Sequence, residues 1–191
     1  MPRIKRDADS VRHVRLLGDP VLRARCAVVS NPKSAAVKVV VDELRGALAR
    51  LREKYHMGRA LAAPQIGAPI RVVYAELGKP WVLINPEIVD VGTEDFLVWD
   101  DCFSCPDLMV RVQRAHRIKV RYQDQRGKTQ TVDLEGEKAE LMQHEIDHLD
   151  GVLTVDRPVG LDPICLREEW GKQYPAVAKY GAPAPRMAPT A

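Results

Sequence analysis

The longest regular alternation of apolar and polar positions runs from residue 34 to residue 55. Val37, Val40, Val41, Leu44, Leu48, Leu51 and Tyr55 recur at helical spacing, with Arg and Glu residues opposite. That period predicts an amphipathic helix near the N-terminus, with Gly58 placed to end it as a C′ residue. The middle of the chain changes period. Residues 70–75 and 81–85 are short apolar runs bounded by Gly and Pro, and 108–112 has strand character. Residues 117–122 alternate, with Ile118, Val120 and Tyr122 on one side, and 129–134 follow across Arg126-Gly127. The last two runs predict a hairpin. The helical period returns near Glu137, where Ala139, Met142, Ile146 and Leu149 form a stripe that Gly151 closes. A short third helix is expected over 166–174. Together these elements predict an α+β fold: mainly antiparallel sheets around a central helix, preceded by the amphipathic one.

Composition narrows this picture slightly. At 191 residues the chain is expected to form one domain with a sizeable core. Residues 1–12 read as a loose arm, and the Ala/Pro-rich 181–191 as a disordered tail. The formal charge is +3, from 29 basic and 26 acidic residues. That balance gives no electrostatic case for sequence-specific nucleic-acid binding or a membrane surface. No apolar run approaches the roughly 18 residues of a membrane span, and the basic N-terminus lacks the apolar stretch of a secretory signal. Four irregularly spaced cysteines fit a reducing, cytoplasmic setting.

Chemistry enters at residues 143–151, Gln-His-Glu-Ile-Asp-His-Leu-Asp-Gly, on the central helix. His144 and His148 lie four apart, so both imidazoles project from one helix face. Two such nitrogens can grip one metal ion, with Glu145 beside the first as a general base. The third ligand decides the enzyme class. A third His in the extended H-E-x-x-H-x-x-G-x-x-H pattern fails, because Thr154 occupies the last position. Glu168 or Glu169 lies at the spacing of a thermolysin-like site, although Pro158, Gly160 and Pro163 interrupt the way there. Cys102 is the upstream candidate; a thiolate with two imidazoles leaves one position open. Cys102 and Cys105 also form a lone C-x-x-C, for which a redox pair or half a zinc knuckle are the competing readings.

Three segments in order resemble the peptide deformylases: Gly-Arg-Ala-Leu-Ala-Ala-Pro-Gln-Ile-Gly at 58–67, Cys-Phe-Ser at 102–104, and Gln-His-Glu-Ile-Asp-His-Leu at 143–149. The similarity runs from about Gly18 to Pro158. It implies that Cys102, His144 and His148 hold one divalent metal ion, Fe²⁺ natively with Zn²⁺, Ni²⁺ or Co²⁺ as substitutes. It implies that Glu145 is the general acid and base. Gln65 and the backbone N–H of Phe103 are then donors to the negative oxygen of the transition state. The implied reaction removes the N-formyl group from formyl-methionine at the start of nascent peptides, with ribosome association as a possible setting.

The resemblance places substrate against Gly58, Arg59 and Ala60 on one side and Glu137, Glu140 and Leu141 on the other, with Asp100 and Asp101 before the cysteine. Here the chain departs from the family pattern. Ala60 stands where a second Gly is usual, Asp100-Asp101 replaces Glu-Gly, and Phe103 replaces Leu. Arg59, Glu137 and Glu140 bring charge to positions that are often apolar. Two explanations follow for that charge: the groups are solvated or pair with one another, or the pocket prefers a different formylated amine. Asp101 raises its own question, whether a glycine-specific backbone angle is required there. A deformylase-like hydrolase of another N-formyl compound is one alternative. A metal-holding binding protein without turnover is another.

Overall fold

The structure, a computed structural model, describes residues 14–174. The expected arm and tail lie outside the described residues. The fold is α+β, as the periodicity predicts. Helix α1 spans Ala35–Tyr55, and eight strands follow around a second helix. Strands β1 (Ala60–Ala62), β2 (Val72–Glu76), β3 (Pro80–Val91), β6 (Arg117–Gln123) and β7 (Thr129–Glu135) form a five-stranded sheet in the order β1-β2-β3-β6-β7. Strands β4 (Asp95–Cys102), β5 (Cys105–Ala115) and β8 (Ile164–Leu166) form a three-stranded sheet. All strand pairs are antiparallel. Helix α2 is Glu137–Leu149, and α3 is Arg167–Gln173.

The five-stranded sheet is buried on both faces at its β1–β2 end. In β2, Val72 and Tyr74 point into a core with α1, while Val73 and Ala75 point into a core with α2. In β1, Leu61 faces α1, while Ala60 and Ala62 face α2. A strand covered on both sides reads as a continuous apolar run instead of an alternation, which is what residues 70–75 are. The hairpin β6–β7 is covered on one side only, by α2, and there Ile118, Val120 and Leu134 alternate with polar neighbours as expected.

Helix α1 starts at a Ser34 cap, whose hydroxyl accepts from Val37 N–H at 3.3 Å. Its end differs from the expected Gly58. The helix stops at Tyr55, and His56 adopts the left-handed conformation at φ 54°, donating its N–H to Arg52 O at 2.9 Å. Histidine is one of the non-glycine residues that tolerate this region. Gly58 does different work at φ +105°: a Cβ there would lie 2.9 Å from the Phe103 ring. Helix α2 ends as expected. Gly151 follows it at φ +76°, with its Cα so close to Arg23 that a Cβ would meet the Arg23 carbonyl at 2.6 Å. This contact lays the turn Pro20–Arg23 against the C-terminal end of α2.

Three strands, β1, β4 and β8, have no counterpart in the sequence pattern. Strand β4 does alternate, but its inward positions are Val98, Asp100 and Cys102. The middle one of the three is a carboxylate, which a hydrophobicity count reads as outward-facing. Strand β8 is three residues on the edge of its sheet, too short to show a period.

Candidate active site

Helix α2 contributes His144, Glu145 and His148, the β4–β5 hairpin contributes Cys102, and the turn Ala63–Ile66 after β1 contributes Gln65. All five side chains are buried. Cys102 Sγ and His148 Nε2 are 3.2 Å apart, and the two Nε2 atoms of His144 and His148 are also 3.2 Å apart. One atom from each of the three residues lies within 4.8 Å of the others. Ligands about 2.0–2.3 Å from one tetrahedral ion would stand roughly 3.3–3.7 Å from each other. The three donors therefore converge at nearly the spacing that a single ion requires. Glu168 and Glu169 sit on α3, exposed and paired with Lys172. They take no part in this cluster, so the thermolysin-like alternative has no support in the geometry.

The side chains behind the donors set their orientation. Asp100 Oδ2 lies 3.0 Å from His144 Nδ1 and accepts from Arg114 Nη2 at 3.0 Å. With Nδ1 directed at Asp100, Nε2 is the nitrogen of His144 that faces the cluster, free to bind an ion once it gives up its proton. Burial opposes the imidazolium of His144, but the Asp100 charge and hydrogen bond, with Cys102, outweigh it and hold the pKa well above the ordinary range. His148 goes the other way: burial and the neighbouring His144 charge push it well below the ordinary range. Burial would also raise Asp100, but His144 and Arg114 hold its carboxyl below the usual carboxylate range. Thr154 Oγ1 lies 3.4 Å from His144 Nδ1. The residue that fails as a third ligand thus stands beside the ring, on the Nδ1 side.

Gln65 is held by its own turn. Its Oε1 accepts from Ala62 N–H at 2.9 Å, which points Nε2 toward Cys102 Sγ at 3.5 Å and Ser104 Oγ at 3.3 Å. The amide therefore presents a donor to the cluster. Glu145 has the opposite character. Its Oε2 is buried with no hydrogen-bond partner, and burial pushes its pKa up to about 7. Phe103 and Ser104 form the two-residue turn between β4 and β5, with Ser104 N–H donating to Cys102 Sγ at 3.3 Å.

Further side chains support the converging donors. Gln143 ties α2 to β5, exchanging hydrogen bonds with both backbone groups of Ala115. Asp147 accepts from Arg114 at 2.6 Å and from Arg157 twice at 2.7 Å. The carboxylate on the ligand imidazole is Asp100, from another strand. Arg114 joins the two carboxylates and is itself 3% exposed. No motif singled it out, and the excess of buried acids around the histidines is the one signal for it. Replacing Arg114 with Met is expected to cost about 3–5 kcal/mol of stability, because it strands a buried charge. Urea unfolding of the metal-free proteins checks this, and a change under 1 kcal/mol would contradict it.

Of the remaining expected substrate positions, Ala60 and Leu141 are buried in the core beneath the site. Glu137 is exposed at the first turn of α2, where its charge suits the helix dipole. Asp101 binds Arg167 at 2.9 Å and has no positive φ. The glycine-specific backbone angle suspected there is not required.

A model of the polypeptide deformylase family matches residues 11–163. The chain belongs to that family. It is 41% identical over 146 residues to a peptide deformylase of Thermotoga neapolitana, covering 75% of this chain and 85% of the relative. The crystal structure of peptide deformylase from Thermotoga maritima superposes with a TM-score of 0.71 at 36% identity, covering 78% of this chain and 97% of the other. A Met-Ala-Ser-bound class I type b peptide deformylase from Acinetobacter baumannii gives a TM-score of 0.68 at 29% identity, covering 75% and 96%. Deformylases are metal-dependent hydrolases, and the donor set of Cys102, His144 and His148 fits a metal by spacing and burial.

Proposed function

We propose that this protein is a peptide deformylase that hydrolyses the N-formyl group at the N-terminus of nascent peptides, releasing formate. The observation that carries the reading is the convergence of Cys102, His144 and His148 beside a carboxylate and an amide donor of complementary roles. Cys102, His144 and His148 are the residues that hold the ion, which we assign as Fe²⁺ from the family resemblance; thiolate and imidazole also suit Zn²⁺, Ni²⁺ and Co²⁺. When bound, that ion supplies Lewis acidity and brings the pKa of water toward 7.

Glu145 takes a proton from the attacking water and delivers it to the amine as the C–N bond breaks. A carboxyl poised near 7 suits both halves of that transfer. Gln65 Nε2 and the Phe103 N–H donate to the formyl oxygen as it becomes negative, and each such donor lowers the barrier by about 3–4 kcal/mol. The anchored Oε1 of Gln65 means that this donor needs no reorientation. One catalytic domain in the cytoplasm, meeting chains at the ribosome, is the setting this activity implies.

Formate release from formyl-Met-Ala-Ser tests the reading. Turnover by the metal-loaded protein supports it. Metal binding without formate favours a binding protein that lacks turnover.

A further inference from the structure

The Cys102–Cys105 motif is only half used by deformylation. A regular β4–β5 register would set Leu108 opposite Cys102; a shift after Asp101 brings Cys105 there instead, across the two-residue turn Phe103-Ser104. Direct antiparallel partners have Cα atoms roughly 4.5–5.5 Å apart, within the ~4.4–6.8 Å that disulfides span. Their side chains leave the same face of the hairpin, and both cysteines are buried and free. Cys105 is not among the converging donors, so one sulfur of the pair serves the ion and the other does not. The remaining cysteines are placed elsewhere. Cys26 donates its N–H to Leu149 O and sits beside Arg71 and Asp150. Cys165 lies opposite Met109, four residues along β5 from Cys105 and so roughly 13 Å away. Among the described cysteines, Cys105 alone is a strand partner of Cys102.

We infer that Cys105 is the resolving thiol of a reversible disulfide with Cys102, formed by a hydroperoxide, and that this link withdraws Cys102 from the metal. This role adds to the deformylase reading above and shares with it only the ligand assignment. The Cys102 sulfur attacks one oxygen of hydrogen peroxide. An S–O bond forms, the O–O bond breaks, and the Cys102 proton leaves with the departing oxygen as water. The Cys105 sulfur then attacks the sulfenic sulfur of Cys102. The S–S bond forms, the S–O bond breaks, and the Cys105 proton leaves with the hydroxyl as a second water. Two thiols lose two electrons, and the peroxide gains them. Both sulfurs share one hairpin tip, so capture is intramolecular and precedes the further, irreversible oxidation to sulfinic acid. A disulfide sulfur is no longer an anionic ligand, which leaves only His144 and His148 for the ion.

Zn²⁺ has no redox chemistry of its own, so the Zn²⁺-loaded protein isolates the thiols. Hydrogen peroxide is expected to release one Zn²⁺ per chain from the wild type. The tryptic peptide that carries both cysteines should lose the mass of two hydrogens. Dithiothreitol with fresh Zn²⁺ should reverse both changes. Cys105→Val keeps an apolar strand residue in place and is expected to hold Zn²⁺ before peroxide. Afterwards it should carry oxygen on Cys102 that dithiothreitol does not remove, with no recovery of Zn²⁺ binding. Three results would overturn the inference: oxygen on wild-type Cys102 without the link, a link from Cys102 to another cysteine, or recovery of Cys105→Val as full as that of the wild type. If that variant does not fold, the wild-type peptide mass decides alone. A wild type that takes up no Zn²⁺ would overturn the ligand assignment, and the peptide mass would still decide the link.

Discussion

Glu145→Ala is expected to retain one metal ion per chain and to lose deformylation by about 10²–10⁴-fold in kcat. The two halves of that result have separate origins. Glu145 is not among the converging donors, so its removal leaves Cys102, His144 and His148 in place. Its Oε2 is buried without a partner, and burial raises its pKa to about 7. A buried carboxyl whose pKa is raised toward 7 suits a group that takes up and returns a proton. The substitution also removes a buried carboxyl that burial disfavours in its charged form, so stability should hold or rise. Steady-state formate release, with metal analysis and thermal melting on the same sample, checks all three. A variant that loses its metal, or one that keeps near-wild-type turnover, would contradict the role.

Cys102→Ala is expected to empty the site. Two imidazoles alone leave the ion without its anionic ligand. They also leave His148 Nε2 and His144 Nε2 facing each other across 3.2 Å with nothing between them. The Cys102 sulfur also accepts from Gln65 Nε2 and Ser104 N–H. The loss should appear as sub-stoichiometric metal after dialysis and as activity at background. Glu168→Ala, by contrast, should change neither, because Glu168 pairs with Lys172 on the surface of α3. Metal retained by the Cys102 variant and lost by the Glu168 variant would reverse the ligand assignment.

The parts of the fold legible in the sequence are those whose buried positions are apolar. The stripe on α1, the doubly covered β2 and the β6–β7 alternation all show up in a count of hydrophobic residues, because the core selects for that property alone. Strand β4 is hidden for the opposite reason. Its inward row carries Asp100 and Cys102, which are buried to serve the site. The local rule fails where function replaces packing. Of the candidate site, His144, Glu145 and His148 came from motif spacing, and Cys102 and Gln65 from the family resemblance; the structure brings Cys102, His144, His148 and Gln65 together. Arg114 was not legible, because its partners Asp100 and Asp147 come from different elements and meet only in three dimensions. The charges at Arg59 and Glu140 were visible as departures. That they pair with each other, while Glu137 offers only its backbone, could be seen only in the folded chain.

The most direct test of the metal-centred account is formate release from formyl-Met-Ala-Ser measured against metal occupancy. Protein purified without oxygen is stripped by a chelator and titrated with Fe²⁺. Activity should be absent at zero metal and rise linearly to a plateau at one ion per chain. Formate production that persists in the stripped protein, or that stays absent at full occupancy, would contradict the account.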